Sequence, residues 1–549
     1  IKYNLVFDTL HTSATTLYST NINGSLAHDS IALGARTKDI KGKDWFGFAG
    51  SLFNDNEVYY FRLKDSLLLN YEDWNVATDN YISYSRDGIL VNNFMLQSDT
   101  AKIYINSREK TINSPVDIAI DNFNLKSISS LISGDTLFAS GILDAKMMMT
   151  DFSKDIPAFT GDFVIENMEL MQNPVGTISG FAEKESENSI KGTLKVTGNK
   201  NDIIASGNYY LNDAEKQFEA DVDIRNLNMA TLQGLSMNKL RNARGALRGS
   251  IHLDGKYEEP HWEGALDFDS AAFTMTDYGA AYLIDKQHIK LQYPDIVFNK
   301  FTIQDSLKHT LVLDGKISSI SLQEYDLNLD INARDFIVLN TPRTINNQLF
   351  GKASMDANIS ITGNSARPDI EGNITLDDKS DITIVLPERN FSKDEGLSIV
   401  RFIDRDTFVI NPPVVAFVPG KEVRPGFAEF LNYNLNIDVT KNASLTIVID
   451  PVTGDEIKVQ GDAQLNAGVD PGGNLVLAGN YELDDGYYVF NYQFLQRKFK
   501  LRQGSSIAFG GAPMNAAVNI TAEYIVSTSA RDLLNNEVSS VDAGMANSF

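Results

Sequence analysis

The side chains that most often perform chemistry in enzymes are few and scattered in this sequence. Only His252 and His261 lie near each other among the histidines, and the pattern fits ordinary surface histidines. The sequence contains no HExxH, GxSxG, Walker A or EF-hand pattern, and no GxGxxG pattern that opens a helix. We therefore predict a protein that is not an enzyme, with no catalytic residue, no metal site and no cofactor. The six histidines are His11, His28, His252, His261, His288 and His309.

Two clusters of charged residues need a separate interpretation. Glu482, Asp484 and Asp485 could imitate a calcium site or a pair of glycosidase carboxylates. Asp484 recurs in a repeat described below, however, and this favours a solvated turn. The segment 497–502 alternates basic with apolar residues, which predicts an amphipathic strand whose outer face is basic. That face is either simply solvated or docks onto an acidic partner or anionic lipid headgroups.

The composition of the 549-residue chain excludes several classes of protein. Its formal net charge of −24 argues against nucleic acid as a partner and against broad adsorption to anionic membranes. Without cysteine it forms neither disulfides nor zinc–thiolate sites. Its start lacks the basic and apolar regions of a signal peptide, and no apolar stretch approaches the ~18 residues of a membrane helix. The chain opens directly in strand-like sequence at Ile1, which reads as part of a longer chain.

One short pattern recurs along the chain: an apolar residue, any residue, a glycine, and an acid five positions after that glycine. The five copies read FAGSLFND, FTGDFVIE, WEGALDFD, IEGNITLD and LAGNYELD. Their glycines are separated by 111, 103, 108 and 107 residues, which predicts a repeat near 107 residues. The glycines expected to bend the sheet are Gly50, Gly161, Gly264, Gly372 and Gly479.

Apolar residues flank each repeat glycine two positions before it and two positions after it, as Phe159 and Phe163 flank Gly161. This period of two is that of a half-buried strand, with the glycine on the apolar face and the acid at the strand's exit. Between the copies the chain alternates almost without pause. Asn, Asp and Gly turns come every ~8–12 residues, which is typical of successive hairpins.

These patterns predict an all-β fold: a long, curled antiparallel sheet of ~107-residue repeats, shaped as an elongated trough, with a few short helices. Helices are expected within 226–245, at 125–133 and at 525–541, where a polar linker is the alternative. Since very wide sheets curl, split or close, the apolar face must be hidden by folding the sheet around it. Two interiors remain open: walls that interdigitate into a dry core, or walls that stand apart as a groove for long apolar ligands.

The C-terminal part of the chain carries a set of strand motifs. Residues 473–524 contain a G-x-Y-x-L strand, a G-x-Y-x-F hairpin and an F-x-L-x-x-G-S-x-I-x-F-x-G strand, then Pro513 and an I-T-A-x-Y strand. This segment resembles the C-terminal domain of TamB-like proteins. Residues 235–255 are similar to the AsmA/TamB unit in which a short helix leads into a Gly-rich strand, and residues 341–378 are similar to TamB relatives of the Bacteroidota.

The resemblance implies a periplasm-spanning bridge whose hydrophobic groove carries phospholipid between the inner and outer membranes. It also implies a role in outer-membrane protein assembly with a BamA-like barrel partner, and an inner-membrane anchor that is not in this chain. The implied organisation is a repetitive sheet at 1–225, an AsmA/TamB-type segment at 226–430, and an incomplete C-terminal domain at 431–549. The alternative is a closed-core surface or secreted β-solenoid that acts as an adhesin or glycan-binding scaffold.

An open groove would place the function on the alternating apolar residues themselves. An acyl chain gains ~0.8 kcal/mol per CH₂ when apolar walls replace water, and no single aliphatic position would trap it. The residues expected to line the groove are Phe163, Ile165, Leu266, Phe268, Ile359, Ile361, Ile374, Leu376, Leu435, Ile437, Val439, Leu445, Ile447, Ile449, Val459, Leu465, Leu475, Leu477, Tyr481 and Leu483.

Overall fold

The computed structural model of this protein is almost entirely β-structure. Strands make up 73% of it and helices 3%, which confirms the predicted all-β class. The structure describes residues 1–11, 16–64, 67–133, 138–152, 154, 156–321, 323–385, 432–470, 474–492 and 495–525. Two compact units are present: unit 1 is Ile1–Thr276, Ala281–Lys308 and Val312–Leu329, and unit 2 is Asp277–Ala280, His309–Leu311 and Asp330–Phe549. The domain boundaries expected near residues 225 and 430 stay predictions.

Unit 1 is an antiparallel meander in which most strands pair with the next strand along the chain. Many of its hairpins close through two residues that both have positive φ, such as Asn56–Glu57 and Asn199–Lys200. This conformation matches the right-handed twist of the flanking strands, so short turns keep consecutive strands paired. The strands are β1(Lys2–His11), β2(Thr16–Ala27), β3(Ser30–Lys38), β4(Asp44–Asp55), β5(Val58–Leu63), β6(Leu67–Leu69), β7(Glu72–Val76), β8(Tyr81–Ser85), β9(Gly88–Asn92), β10(Phe94–Ser98), β11(Ala101–Ser107), β12(Val116–Asn124), β13(Ala139–Thr150), β14(Ala158–Leu170), β15(Asn173–Ser186), β16(Ser189–Gly198), β17(Asn201–Tyr210), β18(Phe218–Asn228), β19(Leu240–Gly255), β20(Pro260–Met275), β21(Ala281–Ile284), β22(Gln287–Gln292), β23(Asp295–Asp305) and β24(Thr310–Ser319).

Two short helices interrupt this meander, α1(Lys126–Ser133) and α2(Met229–Leu235). Both fall where helices were predicted, although most of 226–245 outside α2 is strand or turn. Asn228 caps α2 by accepting a hydrogen bond from the Ala230 N–H at 3.1 Å. Met229 packs with Ala271 and Phe301, so the helix covers apolar residues of the sheet. The predicted segment 525–541 lies outside the described residues from residue 526 onward.

Unit 2 departs from a simple meander at one place. Strand β27 pairs in parallel with β29, and β28 pairs in parallel with β30. A parallel pair needs a long crossover, and the chain between β28 and β29 lies outside the described residues. The remaining strands are β25(Tyr325–Thr341), which enters from unit 1, β26(Leu349–Asn364), β27(Asp369–Leu376), β28(Asp381–Val385), β29(Asn432–Val439), β30(Ser444–Asp450), β31(Asp455–Val469), β32(Leu475–Tyr492), β33(Leu495–Leu501), β34(Ser505–Gly511), β35(Ala517–Asn519) and β36(Ala522–Glu523), with a 3₁₀ turn at Pro513–Asn515.

The repeat motif marks two different local structures. All five repeat glycines lie in strands, namely β4, β14, β20, β27 and β32. Two of these strands end at the repeat acid or just before it, as predicted. In β14, β20 and β32 the strand continues instead, and the pairing register shifts beside Glu166, Asp269 and Asp484. The expectation that every acid marks a strand exit was therefore wrong, because a β-bulge accommodates the polar residue without ending the strand.

Candidate functional site

The first strands of unit 1 leave a row of apolar side chains open. Residues directly opposite each other in neighbouring antiparallel strands project from the same face of the sheet. The exposed fractions of the four row members are 45, 42, 39 and 38% in chain order. This row therefore borders open space. A groove requires such exposure, whereas a dry core would bury these side chains. The members of this open row, on β2 to β5, are Leu26, Ile31, Leu52 and Phe61.

A second apolar region of unit 1, on β13 to β17, has small side chains at its floor. A Cβ atom added at Gly192 would meet only the Phe181 carbonyl oxygen, 3.7 Å away. Cavities of about 400 and 360 Å³ lie along this floor. The ring of Phe163 covers Gly180 beside it, and Leu194 on the same face is 42% exposed. The residues of this small-residue floor, in cross-strand order, are Gly161, Ala182, Gly192 and Gly207, and the larger Met147 precedes them in the same row.

Strand β31 shows how unit 2 divides its two faces. Its interior residues include Ile457, Val459 and Leu465, whereas the intervening Lys458 and Gln464 belong to the opposite face. Val459 is only 3% exposed, and it packs with buried residues of β32 and β33. The alternation expected from the sequence thus produces a closed interior here rather than an open row.

A cavity of about 170 Å³ lies inside unit 2. Its wall is apolar apart from two serines and one tyrosine. The Ser380 and Ser444 hydroxyls donate to the Ser354 carbonyl and the Asp381 carboxylate, so both are already satisfied. The lining residues are Leu376, Ser380, Ile382, Val439, Ala443, Ser444, Leu445, Ile447, Ile457, Val459, Leu465, Tyr481, Ile507 and Phe509.

A bulge in β32 keeps the interior apolar along the full length of that strand. Gly461 pairs with Leu483 and Gln460 pairs with Asp485, so Asp484 is the extra residue. The bulge inverts the alternation, and Tyr488 and Phe490 then follow Leu483 onto the interior face. The Asp484 carboxylate accepts hydrogen bonds from Gln503 at 3.1 Å and pairs with Lys441 at 3.3 Å. These contacts, with Gln503 first, lower the pKa of Asp484.

Tyr481 is the most perturbed titratable group of the described interior. Burial, with a smaller contribution from the Asp462 carboxylate, raises the pKa of Tyr481 to about 12. Its hydroxyl has no hydrogen-bond partner among the described residues. A buried hydroxyl without a hydrogen-bond partner costs ~1–3 kcal/mol. Tyr481 therefore stabilises the interior through the apolar contacts of its ring and not through its hydroxyl.

The predicted lining residues differ in how deeply they are buried and in which cavity they line. Val459, Tyr481 and Leu483 are buried, whereas Ile449 and Leu475 are 46 and 44% exposed. Seven of the twenty meet at the unit 2 cavity, and Phe163 lines the 400 Å³ cavity of unit 1. The seven are Leu376, Val439, Leu445, Ile447, Val459, Leu465 and Tyr481. Those that are half-buried on their strands are Phe163, Ile165, Leu266, Phe268, Ile359, Ile361, Ile374, Leu376, Leu435, Ile437, Val439, Leu445, Ile447, Leu465 and Leu477.

Sequence reasoning missed several lining residues that follow the same alternation. Ile382 and Ile457 lie directly beside predicted members, opposite Leu445 and Ile447 in the ladder. Ile507 and Phe509 belong to the F-x-G strand of the quoted motif and lie opposite Tyr481 and Gly479. The period of two was a sufficient signal for all four. Of the open row, sequence reasoning had placed only Leu52, two positions after Gly50, on an apolar face. The exposure of the row could not be predicted, because a sequence does not show which apolar face remains uncovered.

The residues singled out for chemistry stay apart from one another. His252 lies at the surface, where the hydrogen bond between its Nδ1 and the Asp221 carboxylate oxygen, 2.8 Å away, is the first cause of its raised pKa. Among the described residues, no group of three His, Cys, Asp or Glu side chains could hold a metal ion. In the basic strand β33, Lys498 and Lys500 lie on the outer face as predicted. Arg497 lies on the interior face, in line with Leu501.

Neither helix in the described part of the chain has the length and apolar character that a membrane span requires.

Comparison with known proteins identifies the class. Residues 299–548 match the family model of the TamB C-terminal domain, so this part of the chain carries that domain, which is consistent with a TamB-like protein. The domain places the protein in the translocation and assembly module of the cell envelope, with a role in lipid or protein transport. This family is a transport and assembly module and not a known enzyme family. No curated protein matches the chain, and no solved structure matches it.

Proposed function

We propose that the apolar surfaces of both units carry the acyl chains of phospholipids between the inner and outer membranes. The observation that supports this best is the open row of unit 1, where four neighbouring strands each present an apolar side chain that is about 40% exposed. Such a row is costly in water unless an apolar ligand covers it. Each CH₂ group that moves from water onto the row gains ~0.8 kcal/mol.

The side chains of the apolar faces suit the movement of an acyl chain along the sheet. Leu, Ile, Phe, Gly and Ala offer no directional bonds, so neighbouring positions along the path hold an acyl chain about equally well. The small-residue floor adds width at Gly192, where an added Cβ atom would meet nothing closer than the Phe181 carbonyl oxygen at 3.7 Å. The acidic outer surface keeps the protein soluble in the periplasm. A closed-core adhesin gains no support from an open apolar row.

The partner that fits a TamB C-terminal domain is a BamA-like outer-membrane barrel, and assistance in outer-membrane protein assembly belongs to the same proposal. An inner-membrane attachment at the other end completes the bridge.

Site-specific photo-crosslinking in cells tests the lipid path. Crosslinkers at Leu194 and Ile437 should yield phospholipid adducts, since both positions lie on apolar faces. Crosslinkers at Lys195 and Asn436, the adjacent residues on the opposite faces, should yield none. Equal labelling of both faces, or no adducts together with no phospholipid in native mass spectrometry, would contradict the proposal.

A further inference from the structure

The last strands of unit 2 place one arginine on a face whose residues on β32 and β33 are otherwise apolar. Leu501 is 2% exposed and packs in the interior with Val459 and Tyr481. Residues two and four positions before it share its face, so Phe499 and Arg497 follow it. The pairing of β33 with β32 agrees, because Arg497 lies opposite Phe490.

An aromatic platform, formed by Tyr488, Phe499 and Tyr524, links this arginine to the cavity. The ring centroids of Tyr488 and Phe499 are 6.3 Å apart, and those of Phe499 and Tyr524 are 5.5 Å apart. Tyr488 lies opposite Ile457, which lines the cavity of unit 2. An extended acyl chain could therefore run from the cavity across the platform without leaving apolar surface.

The positive charge of Arg497 is not neutralised by a described carboxylate. Its guanidinium carbon lies 5.3 Å from the centroid of the Tyr524 ring, which holds the group by a cation–π contact. Arg502, by contrast, pairs with Glu523 at 3.7 Å. The Asp455 carboxylate lies two strands away on β31, where it accepts a hydrogen bond from the Asn491 N–H at 2.6 Å. Burial, and after it the Asp455 carboxylate, raises the pKa of Tyr488 in the platform. Arg497 Nη1 donates to the neighbouring Gln496 carbonyl oxygen at 3.4 Å. A cation–π contact uses the charge of the guanidinium and not its N–H groups, so other N–H groups of Arg497 remain available to an anion.

We propose that Arg497 binds the phosphate of a phospholipid headgroup whose acyl chain lies on the aromatic platform and enters the unit 2 cavity. This inference rests on the proposed transport of phospholipid and adds a polar anchor to it. A phosphate accepts two parallel N–H bonds from arginine, so the anchor selects lipids that carry one. The lipid then pauses at this end of unit 2 with a defined orientation, instead of sliding freely.

Binding of two fluorescent lipids to the full chain tests the anchor. Phosphatidic acid and diacylglycerol with identical acyl chains differ only in the phosphate. Arg497→Gln should weaken phosphatidic acid binding about tenfold and leave diacylglycerol binding unchanged. Lys498→Gln is the matched control: it removes the same charge one residue away, on the outer face, where Lys498 lies 3.6 Å from the Tyr487 ring centroid. It should change neither affinity by more than about twofold.

Three results would overturn the anchor. Equal losses from Arg497→Gln and Lys498→Gln would assign the effect to net charge. An equal loss of both lipids from Arg497→Gln would assign it to folding of the platform. If the unaltered protein binds neither lipid, the proposed transport function fails as well, and this outcome is distinct from the first two. Arg497→Lys should restore part of the phosphate preference, since lysine keeps the charge without the planar pair of donors.

Discussion

The open row of unit 1 and the closed interior of unit 2 use the same alternation of apolar and polar residues to different ends, although unit 1 also contains closed clusters, such as the one around Trp74 and Leu96. In unit 1 the open row leaves about 40% of each side chain exposed. In unit 2 the corresponding face closes around Val459, Leu483 and Leu501, which are 2 to 3% exposed. The cavities differ accordingly, with about 400 and 360 Å³ in unit 1 and about 170 Å³ in unit 2.

Between the small-residue floor of unit 1 and the interior of unit 2, the difference comes from side-chain size. The floor of unit 1 is built from glycine and alanine, which leave space above the sheet. The interior of unit 2 is built from leucine, valine and tyrosine, and a bulge at Asp484 adds Tyr488 and Phe490 to it. Large residues on facing strands meet and exclude solvent, whereas small ones cannot. An alternating pattern therefore predicts an apolar face without predicting whether that face is filled.

The largest expected effect is the loss of a closed core residue. Leu483→Ala should lower the free energy of unfolding by about 3 kcal/mol, because the side chain is 2% exposed and leaves a cavity. The matched change Leu194→Ala in unit 1 should cost less than about 1 kcal/mol. All three tryptophans belong to unit 1, so urea denaturation followed by circular dichroism and by tryptophan fluorescence locates the loss. Equal losses of stability from Leu483→Ala and Leu194→Ala would contradict the distinction between the closed interior of unit 2 and the open apolar face of unit 1.

Tyr481 should give the interior of unit 2 a pH dependence at alkaline pH. The unfolded chain releases this proton near pH 10, and the folded chain near pH 12. Between these values the unfolded state binds fewer protons, so stability falls as pH rises, by about 2 kcal/mol in total. Tyr481→Phe should remove this part of the slope in urea denaturation series from pH 9 to 12. Tyr209→Phe, at a tyrosine that is 48% exposed, should leave the slope unchanged.

Gly479 and Gly192 should respond differently to the same substitution. Gly479 has φ 131°, and a Cβ there would lie 2.1 Å from the Gln464 carbonyl oxygen. Gly479→Ala should therefore destabilise the protein by about 2 kcal/mol. The added methyl group of Gly192→Ala makes only an ordinary contact, 3.7 Å from the Phe181 carbonyl oxygen, and should change stability by less than about 0.5 kcal/mol. Thermal unfolding measures both, and a tolerated alanine at Gly479 would contradict the close approach of its neighbouring strand.

The smallest effect on stability is expected in the open row, where function should suffer instead. Leu52→Ser removes a side chain that is already 39% exposed, so the free energy of unfolding should change by less than about 1 kcal/mol. Lipid crosslinking at the neighbouring Phe61 should fall, since the row loses apolar surface. Ser51 is the adjacent residue and lies on the other face of the strand. Ser51→Ala therefore serves as the control, and no loss of lipid crosslinking is expected from it. Unchanged crosslinking in Leu52→Ser would argue that the row is not a lipid path.

Much of the fold could be predicted from local pattern. The strands around Gly161 and Gly479, the helices α1 and α2, and the interior position of Val459 and Tyr481 all follow from a period of two or from a short helical run. The bulges beside Glu166 and Asp484 could not be predicted, because an acid suits a strand end and a bulge equally well. The parallel pairing of β27 with β29 was also out of reach, since nothing local distinguishes it from a hairpin.

The sequence by itself determined the all-β class, the segregation of apolar from polar residues and the likeness to TamB, because each depends on local alternation or on a contiguous motif. Only the tertiary structure decided where the apolar face is open and where it is closed. It also decided that Arg497 shares a face with Phe499 and Leu501, and that the Tyr524 ring contacts the Arg497 guanidinium. Exposure and cross-strand neighbours depend on residues far apart in the chain, and these distances are set only when the sheet forms.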